Sequence, residues 1–259
     1  MALELAAAEY GEGLPVLVLH GLLGSGRNWT SVAQKLAASH RVFTLDLRNH
    51  GASPWAATMT YAEMAEDVRA FVKAKGLGRV ALIGHSMGGK VAMTVALANG
   101  EIVERLVVVD IAPAAYPPTH LDYVRAMRAV DLGRVTRRAE VDVQLIAAVP
   151  NPAERAFILQ NLVLGDGHAS WRPNLAALER AMGDIAAFPA FPPGCTYAGP
   201  TLFVAGGRSD YVRPEHEPAI RQLFPQAAIT RIPGAGHWVH AERPDEFLRA
   251  VTPFLAGGA

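Results

Sequence analysis

The 259 residues carry 24 Lys plus Arg against 24 Asp plus Glu, and 51% of them are hydrophobic, so the chain can bury a sizeable core as one domain and no nucleic-acid partner is expected. The single cysteine, Cys195, excludes an internal disulfide and suits a reducing compartment. Met1 to Leu5 has no basic segment leading into an apolar core, and no apolar run approaches the roughly 18 residues of a membrane helix. A soluble, cytoplasmic monomer or homodimer with no membrane span is therefore expected.

In chain order, Leu3 to Tyr10 reads as a first strand closed by Gly11-Glu12-Gly13. Pro15 to Leu19 is a short, wholly apolar run of the kind that forms a buried parallel strand, and it delivers His20-Gly21-Leu22-Leu23-Gly24-Ser25 at its end. A helix over Trp29 to Ser39, a strand over Arg41 to Asp46 and the loop Leu47 to Pro54 follow. Thr60-Tyr61-Ala62-Glu63 has capping-box spacing and opens a helix that runs to the Gly76 stop. Val80 to Ile83 then reads as a strand, Gly84-His85-Ser86-Met87-Gly88 as a sharp turn, and Val91, Ala92, Val95 and Ala96 as the apolar face of a helix. A G-x-S-x-G turn between strand and helix is a nucleophile elbow, whose glycines leave room for a strained serine with its hydroxyl pushed outward. The helix that follows aims its free N–H groups at the same spot.

Leu106 to Val109 is a further buried strand ending in Asp110. From Pro113 to about Gly199 the alternation stops: prolines surround helices such as Leu121 to Val130 and Ala153 to Leu162, with no convincing strand. This segment is too long for a loop in a compact domain. We therefore expect a core over residues 1–112 and 200–259 and an inserted helical cap over 113–199. Strands at Thr201 to Ala205 and Ala228 to Ile232, helices at Glu215 to Phe224 and Pro244 to Leu255, and the loop Pro233-Gly234-Ala235-Gly236-His237-Trp238 complete the pattern. The fold class is α/β, a mostly parallel sheet with helices on both faces and ligand sites beyond the carboxyl ends of the strands.

With His-Gly-Leu-Leu-Gly-Ser at 20–25, Gly-His-Ser-Met-Gly-Gly at 84–89 and Gly-Ala-Gly-His-Trp at 234–238, the chain resembles the α/β-hydrolase superfamily over nearly its whole length. Asp46-Leu47-Arg48-Asn49-His50-Gly51, residues 84–93, Val109-Asp110-Ile111-Ala112-Pro113 and Gly-His-Trp-Val-His-Ala-Glu at 236–242 are similar to the small esterase group of the abhydrolase-domain-11 type. The resemblance implies a serine hydrolase that cleaves carboxylic esters or thioesters of small to medium acyl chains. Ser86 would be the nucleophile, His237 the base, and the amides of Leu22 and Met87 the oxyanion hole. Carbon–carbon hydrolases, perhydrolases and acyltransferases use the same triad, and a ligand-binding receptor can share the fold.

Both Asp110 and Asp210 satisfy the chain order Ser, acid, His. Asp210 stands where most of the superfamily carries its acid. Asp110 stands where the subgroup does, and a carboxylate at the end of Val107-Val108-Val109 is expensive to bury unpaired, which favours it. His20, His50 and His85 read as packing or hydrogen-bonding residues, His240 as the exposed face of its loop, and Asp46 with Arg48 as a loop-shaping salt bridge. Trp171, Met127 and Phe157 either line an acyl pocket or belong to the core. No cofactor is expected: no His or Cys cluster has metal-ligand spacing, and Gly206-Gly207-Arg208 lacks the Lys-Ser/Thr of a phosphate loop.

Overall fold

The computed structural model describes residues 1–165 and 168–257. Seven strands, β1 (Ala7–Tyr10), β2 (Leu14–Leu19), β3 (His40–Leu45), β4 (Val80–His85), β5 (Val103–Val109), β8 (Thr201–Gly206) and β9 (Ala227–Ile232), form one sheet in the order β1-β3-β2-β4-β5-β8-β9. Only β1, on the edge, runs antiparallel to its neighbour. Period-2 alternation divides the core between two faces. Leu17, Leu19, Phe43, Leu82 and Phe203 face helices α2 (Tyr61–Ala74), α3 (Met87–Ala98) and α8 (Glu217–Leu223). Val16, Val18, Val42, Ile83 and Val204 face α1 (Thr30–Leu36) and α10 (Pro244–Leu255). Each fully buried Val, Leu or Phe contributes on the order of 2 kcal/mol of transfer free energy, and most strand positions here lie within a few per cent of zero exposure.

Register brings the chemistry to one edge. Leu19 pairs with both Leu45 and Gly84, His85 with Val109, and Val109 with Val204, so the loops after β2, β4, β5 and β8 leave the sheet at one level. The order reverses at β2 and β4: the chain crosses from β2 to β3 on one side and from β4 to β5 on the other. The loops at that switch diverge and open a crevice.

The capping box at the start of α2 is formed: the Glu63 amide donates to Thr60 Oγ1 at 3.2 Å and the Thr60 amide to Glu63 Oε2 at 2.9 Å. The helix ends in a Schellman motif, with Leu77 N–H on the Val72 carbonyl, Gly76 N–H on that of Lys73, and Gly76 at φ +62°. Burial raises the Glu63 carboxyl, but hydrogen bonds from Thr58 and Thr60 and the charge of Arg48 outweigh it and hold the group at about 2. A carboxyl depressed on folding stabilises the protein above its unfolded value of about 4.5 and loses that contribution as pH falls toward 2. Melting scans of wild type and Glu63→Gln should therefore differ by a few degrees near neutral pH and converge on acidification.

Between β5 and β8 the chain leaves the sheet and forms α4 (Leu121–Ala129), α5 (Arg138–Leu145), α6 (Pro152–Leu159) and α7 (Leu175–Ala186). It also forms strands, which corrects the sequence expectation: β6 (Leu162–Gly165) pairs antiparallel with β7 (His168–Trp171). The signal in the sequence was the dipeptide Asp166-Gly167 between the two strands, a pair that sequence reasoning associates with hairpins, although those residues lie outside the described ones. Asn161 Nδ2 donates to the Leu23 carbonyl at 2.7 Å and Asn174 N–H to that of Asn49 at 3.0 Å, tying this segment to the loops after β2 and β3.

Lys90, in the first turn of α3, is 2% exposed and donates to the carbonyls of Ala186 at 2.9 Å and Ala187 at 2.6 Å, where α7 ends. The helix C-terminus carries partial negative charge and suits a cation, whereas burial pushes this ammonium down to about 7. Lys90→Ala removes a buried side chain and its donors together. Urea denaturation should show a loss of about 3 kcal/mol.

Candidate active site

Ser86 sits between the last residue of β4 and the first of α3 with φ +52° and ψ −120°, a conformation that non-glycine residues rarely hold. Its surroundings impose the geometry. A Cβ on Gly84 would lie 2.2 Å from the Gly88 carbonyl oxygen, and one on Gly88 would lie 2.4 Å from that of Leu19. Only glycine at both positions lets the turn pack so closely.

The Ser86 hydroxyl lies 3.0 Å from Nε2 of His237, which is carried on the loop between β9 and α9 (Val239–Glu242). His237 Nδ1 lies 2.7 Å from Asp110 Oδ2. Asp110 follows β5, has φ +51° and is fully buried. Its carboxylate also accepts from the Gly206 amide at 2.8 Å and from the Ser209 hydroxyl. These donors satisfy the requirement that a buried charge be paired. Asp210 is exposed, and the structure gives it no hydrogen bond to His237. Of the two candidate acids, the fold brings only Asp110 to the imidazole. The sequence reading missed Ser209 and Tyr211, whose ring stacks on that of His237 with centroids 4.1 Å apart. Spacing alone does not reveal either contact.

Leu22 and Met87 line the same cavity as Ser86, and neither backbone amide has a hydrogen-bond partner among the described residues. Two buried imidazoles shape the Leu22 loop. His20 Nδ1–H donates to the Gly21 carbonyl at 2.8 Å while its Nε2 accepts from the Leu47 amide at 3.0 Å. His50 Nδ1–H donates to the Arg48 carbonyl at 3.0 Å while its Nε2 accepts from the Leu23 amide at 3.1 Å. These partners fix both as neutral tautomers. Burial lowers both pKa values, that of His50 to about 3. His85 Nε2–H donates to the His237 carbonyl at 2.9 Å and holds that loop.

Two sequence expectations are corrected. His240 is not exposed: it is 4% accessible and stacks on Trp29 with ring centroids 3.9 Å apart and planes 8° from parallel, and burial pushes it down to about 3. The helix that begins at Val239 turns this residue inward. Asp46 and Arg48 do not pair with each other. Arg48 grips Asp67 of α2 through Nε at 2.7 Å and Nη2 at 2.9 Å, and Asp46 accepts from the Gly26 and Ala52 amides, both at 2.7 Å. Each shapes the loop after β3, through different partners.

A cavity of about 210 Å³ lies over Ser86, with Leu22, Phe157, Met182, Ile185 and Trp238 in its walls. Of the three aromatic or methionine candidates only Phe157 reaches it. Met127 is fully buried and Trp171 Nε1–H donates to its carbonyl at 2.9 Å, so both belong to the packing between α4 and β7. Among the described residues no group of three His, Cys, Asp or Glu side chains is placed to hold a metal ion, and no helix is long and apolar enough to cross a membrane.

The family model of the alpha/beta hydrolase fold matches residues 15–244. The chain is 44% identical over 252 residues to the sn-1-specific diacylglycerol lipase ABHD11 of Mus musculus, covering 94% of this chain and 81% of the relative. It is 34% identical over 242 residues to the esterase YbfF of Escherichia coli (strain K12), covering 93% and 92%. Among solved structures, a marine microorganism esterase superposes with a TM-score of 0.95 at 38% identity, over 98% of this chain and all of that one (100%). The chain belongs to the alpha/beta hydrolase fold family and, within it, is of the ABHD11 type.

Proposed function

We propose that this enzyme is a serine carboxylesterase acting through an acyl-enzyme on Ser86. The observation that carries the reading is the relay of Ser86 Oγ, His237 and Asp110, with contacts of 3.0 and 2.7 Å. Ser86 Oγ attacks the ester carbonyl as its proton passes to His237 Nε2, and Asp110 holds Nδ1–H and stabilises the imidazolium. The carbonyl oxygen takes up negative charge, which the free amides of Leu22 and Met87 receive; each such donor is worth roughly 3 kcal/mol of barrier. His237 returns its proton to the departing alcohol oxygen. Water, activated by the same imidazole, then cleaves the acyl-enzyme and regenerates the serine.

Residues 113–199 act as a cap: Phe157 of α6 and Met182 and Ile185 of α7 roof the cavity over the nucleophile. The small apolar space suits short to medium acyl chains of esters or thioesters. The esterase and lipase names of the relatives support the same class of reaction. The test is treatment with a fluorophosphonate followed by intact mass and peptide mapping. One stoichiometric adduct on Ser86 is the expected result. A folded protein that takes up no reagent would overturn the reading.

A further inference from the structure

The lining of the cavity over Ser86 and His237 contains a carboxylate that the proposed reaction does not use. Glu154 of α6 lines the cavity and is partly buried. It accepts a hydrogen bond from the Tyr123 hydroxyl, and among the described residues no arginine or lysine lies within ion-pair distance of it. Its neighbour Arg155 is turned to Asp142 at 2.8 Å. Burial and then the Glu154 carboxylate push the Tyr123 phenol up to about 12, so it stays protonated and donates.

Glu154 sits on the His237 flank. Phe157, one helical turn along α6, packs its ring 5.5 Å from Trp238, the residue after His237. Tyr211, stacked on His237, lines the same wall, and His120 packs edge-on against Tyr123 at 5.7 Å. Burial and then the charge of His237 lower His120, against the opposing pull of Glu154. The other charged side chain in the lining, Lys90, has its ammonium committed to the end of α7. Because His237 must hand its proton to the leaving oxygen, the departing alcohol lies on this flank. The alcohol therefore meets a carboxylate with an unoccupied oxygen in a lining that also holds the rings of Tyr123, Phe157 and Trp238. A carboxylate among aromatic rings attracts positive charge and hydrogen-bond donors and repels anions.

We infer that Glu154 makes the His237 flank a subsite for an alcohol that carries a protonated amine or a hydroxyl, and that it selects against alcohols bearing a carboxylate. The inference rests on the esterase reading for the placement of the leaving group.

The test uses three butanoate esters, of 2-(dimethylamino)ethanol, of 3-methylbutanol, which has the same shape without charge, and of 3-hydroxypropanoate. After correction for their alkaline hydrolysis rates, the amine ester should exceed the neutral one in kcat/KM by roughly tenfold, and the neutral one the carboxylate by a similar factor, as a partly solvated charge contact gives. Glu154→Gln keeps an acceptor for Tyr123 and should bring the amine-to-neutral ratio within about twofold, and Glu154→Lys should invert the series. An unchanged ratio in Glu154→Gln would overturn the subsite. Titrating the Ser86→Ala protein with the amine and neutral esters, followed by tryptophan emission, separates the two readings. A Glu154-dependent preference in binding without wild-type turnover keeps the subsite and removes the esterase. Equal binding alongside ordinary turnover does the opposite.

Discussion

Ser86→Ala should lower kcat on a short-chain ester by about 10⁶, while the variant melts at or above the wild-type temperature. The two halves of this result have one structural cause. The Ser86 backbone holds φ +52° and ψ −120° because Gly84 and Gly88 let α3 and the β2 loop close around it. Such a conformation costs on the order of 1–3 kcal/mol and persists only where the surrounding structure enforces it. Alanine in the same place inherits the strain but loses the hydroxyl, whose hydrogen bond is to His237 Nε2 at 3.0 Å. The fold therefore loses little and the proposed reaction loses its nucleophile. The free Leu22 and Met87 amides would still polarise a bound carbonyl, so a residual rate above that of water is expected. Turnover is measured at saturating substrate and the melt by calorimetry. A loss under about a hundredfold would mean that the acyl group is not carried on Ser86.

Much of this arrangement could be read in the sequence, because it follows from short-range rules. The apolar runs at Val16–Leu19, Val80–Ile83 and Leu106–Val109 read as buried strands, and each is followed within three residues by a polar residue, His20, Ser86 or Asp110, that the register then places at one edge of the sheet. Thr60 and Glu63 specified a helix start through three residues of spacing, and the glycines at 84 and 88 announced a close approach. What could not be read depends on tertiary neighbours. Whether His240 faces water or Trp29 is decided by a four-residue helix and by a partner more than two hundred positions away. Arg48 chose Asp67, across from it on α2, over the adjacent Asp46, because the loop points its guanidinium beneath the helix. The β6–β7 pair escaped notice for another reason: four-residue strands carry almost no periodicity, and the Asp-Gly dipeptide between them was the sole cue in the sequence.

Asp110→Asn should reduce kcat/KM by about 10⁴, and Asp210→Asn by no more than about threefold. The sequence placed both carboxylates in the required order, so the contrast rests on what surrounds each. Asp110 is fully buried and presents Oδ2 to His237 Nδ1 at 2.7 Å, with Gly206 N–H on its other oxygen at 2.8 Å. Asparagine there keeps an oxygen for the Gly206 amide and turns its NH₂ toward Nδ1. The imidazole must then accept at Nδ1 and carry its proton on Nε2, where it faces Ser86 and cannot take up the serine proton. Loss of the negative charge also leaves the imidazolium of the transition state without its counterion in a buried site. Asp210 is exposed and has no hydrogen bond to His237, so neutralising it changes only a solvated surface charge. The rate of fluorophosphonate labelling should follow the same order, since it depends on the same activated hydroxyl but not on substrate binding. Equal, mild losses in the two variants would mean that His237 is oriented by neither carboxylate alone, and a large loss confined to Asp210→Asn would move the acid to the loop after β8.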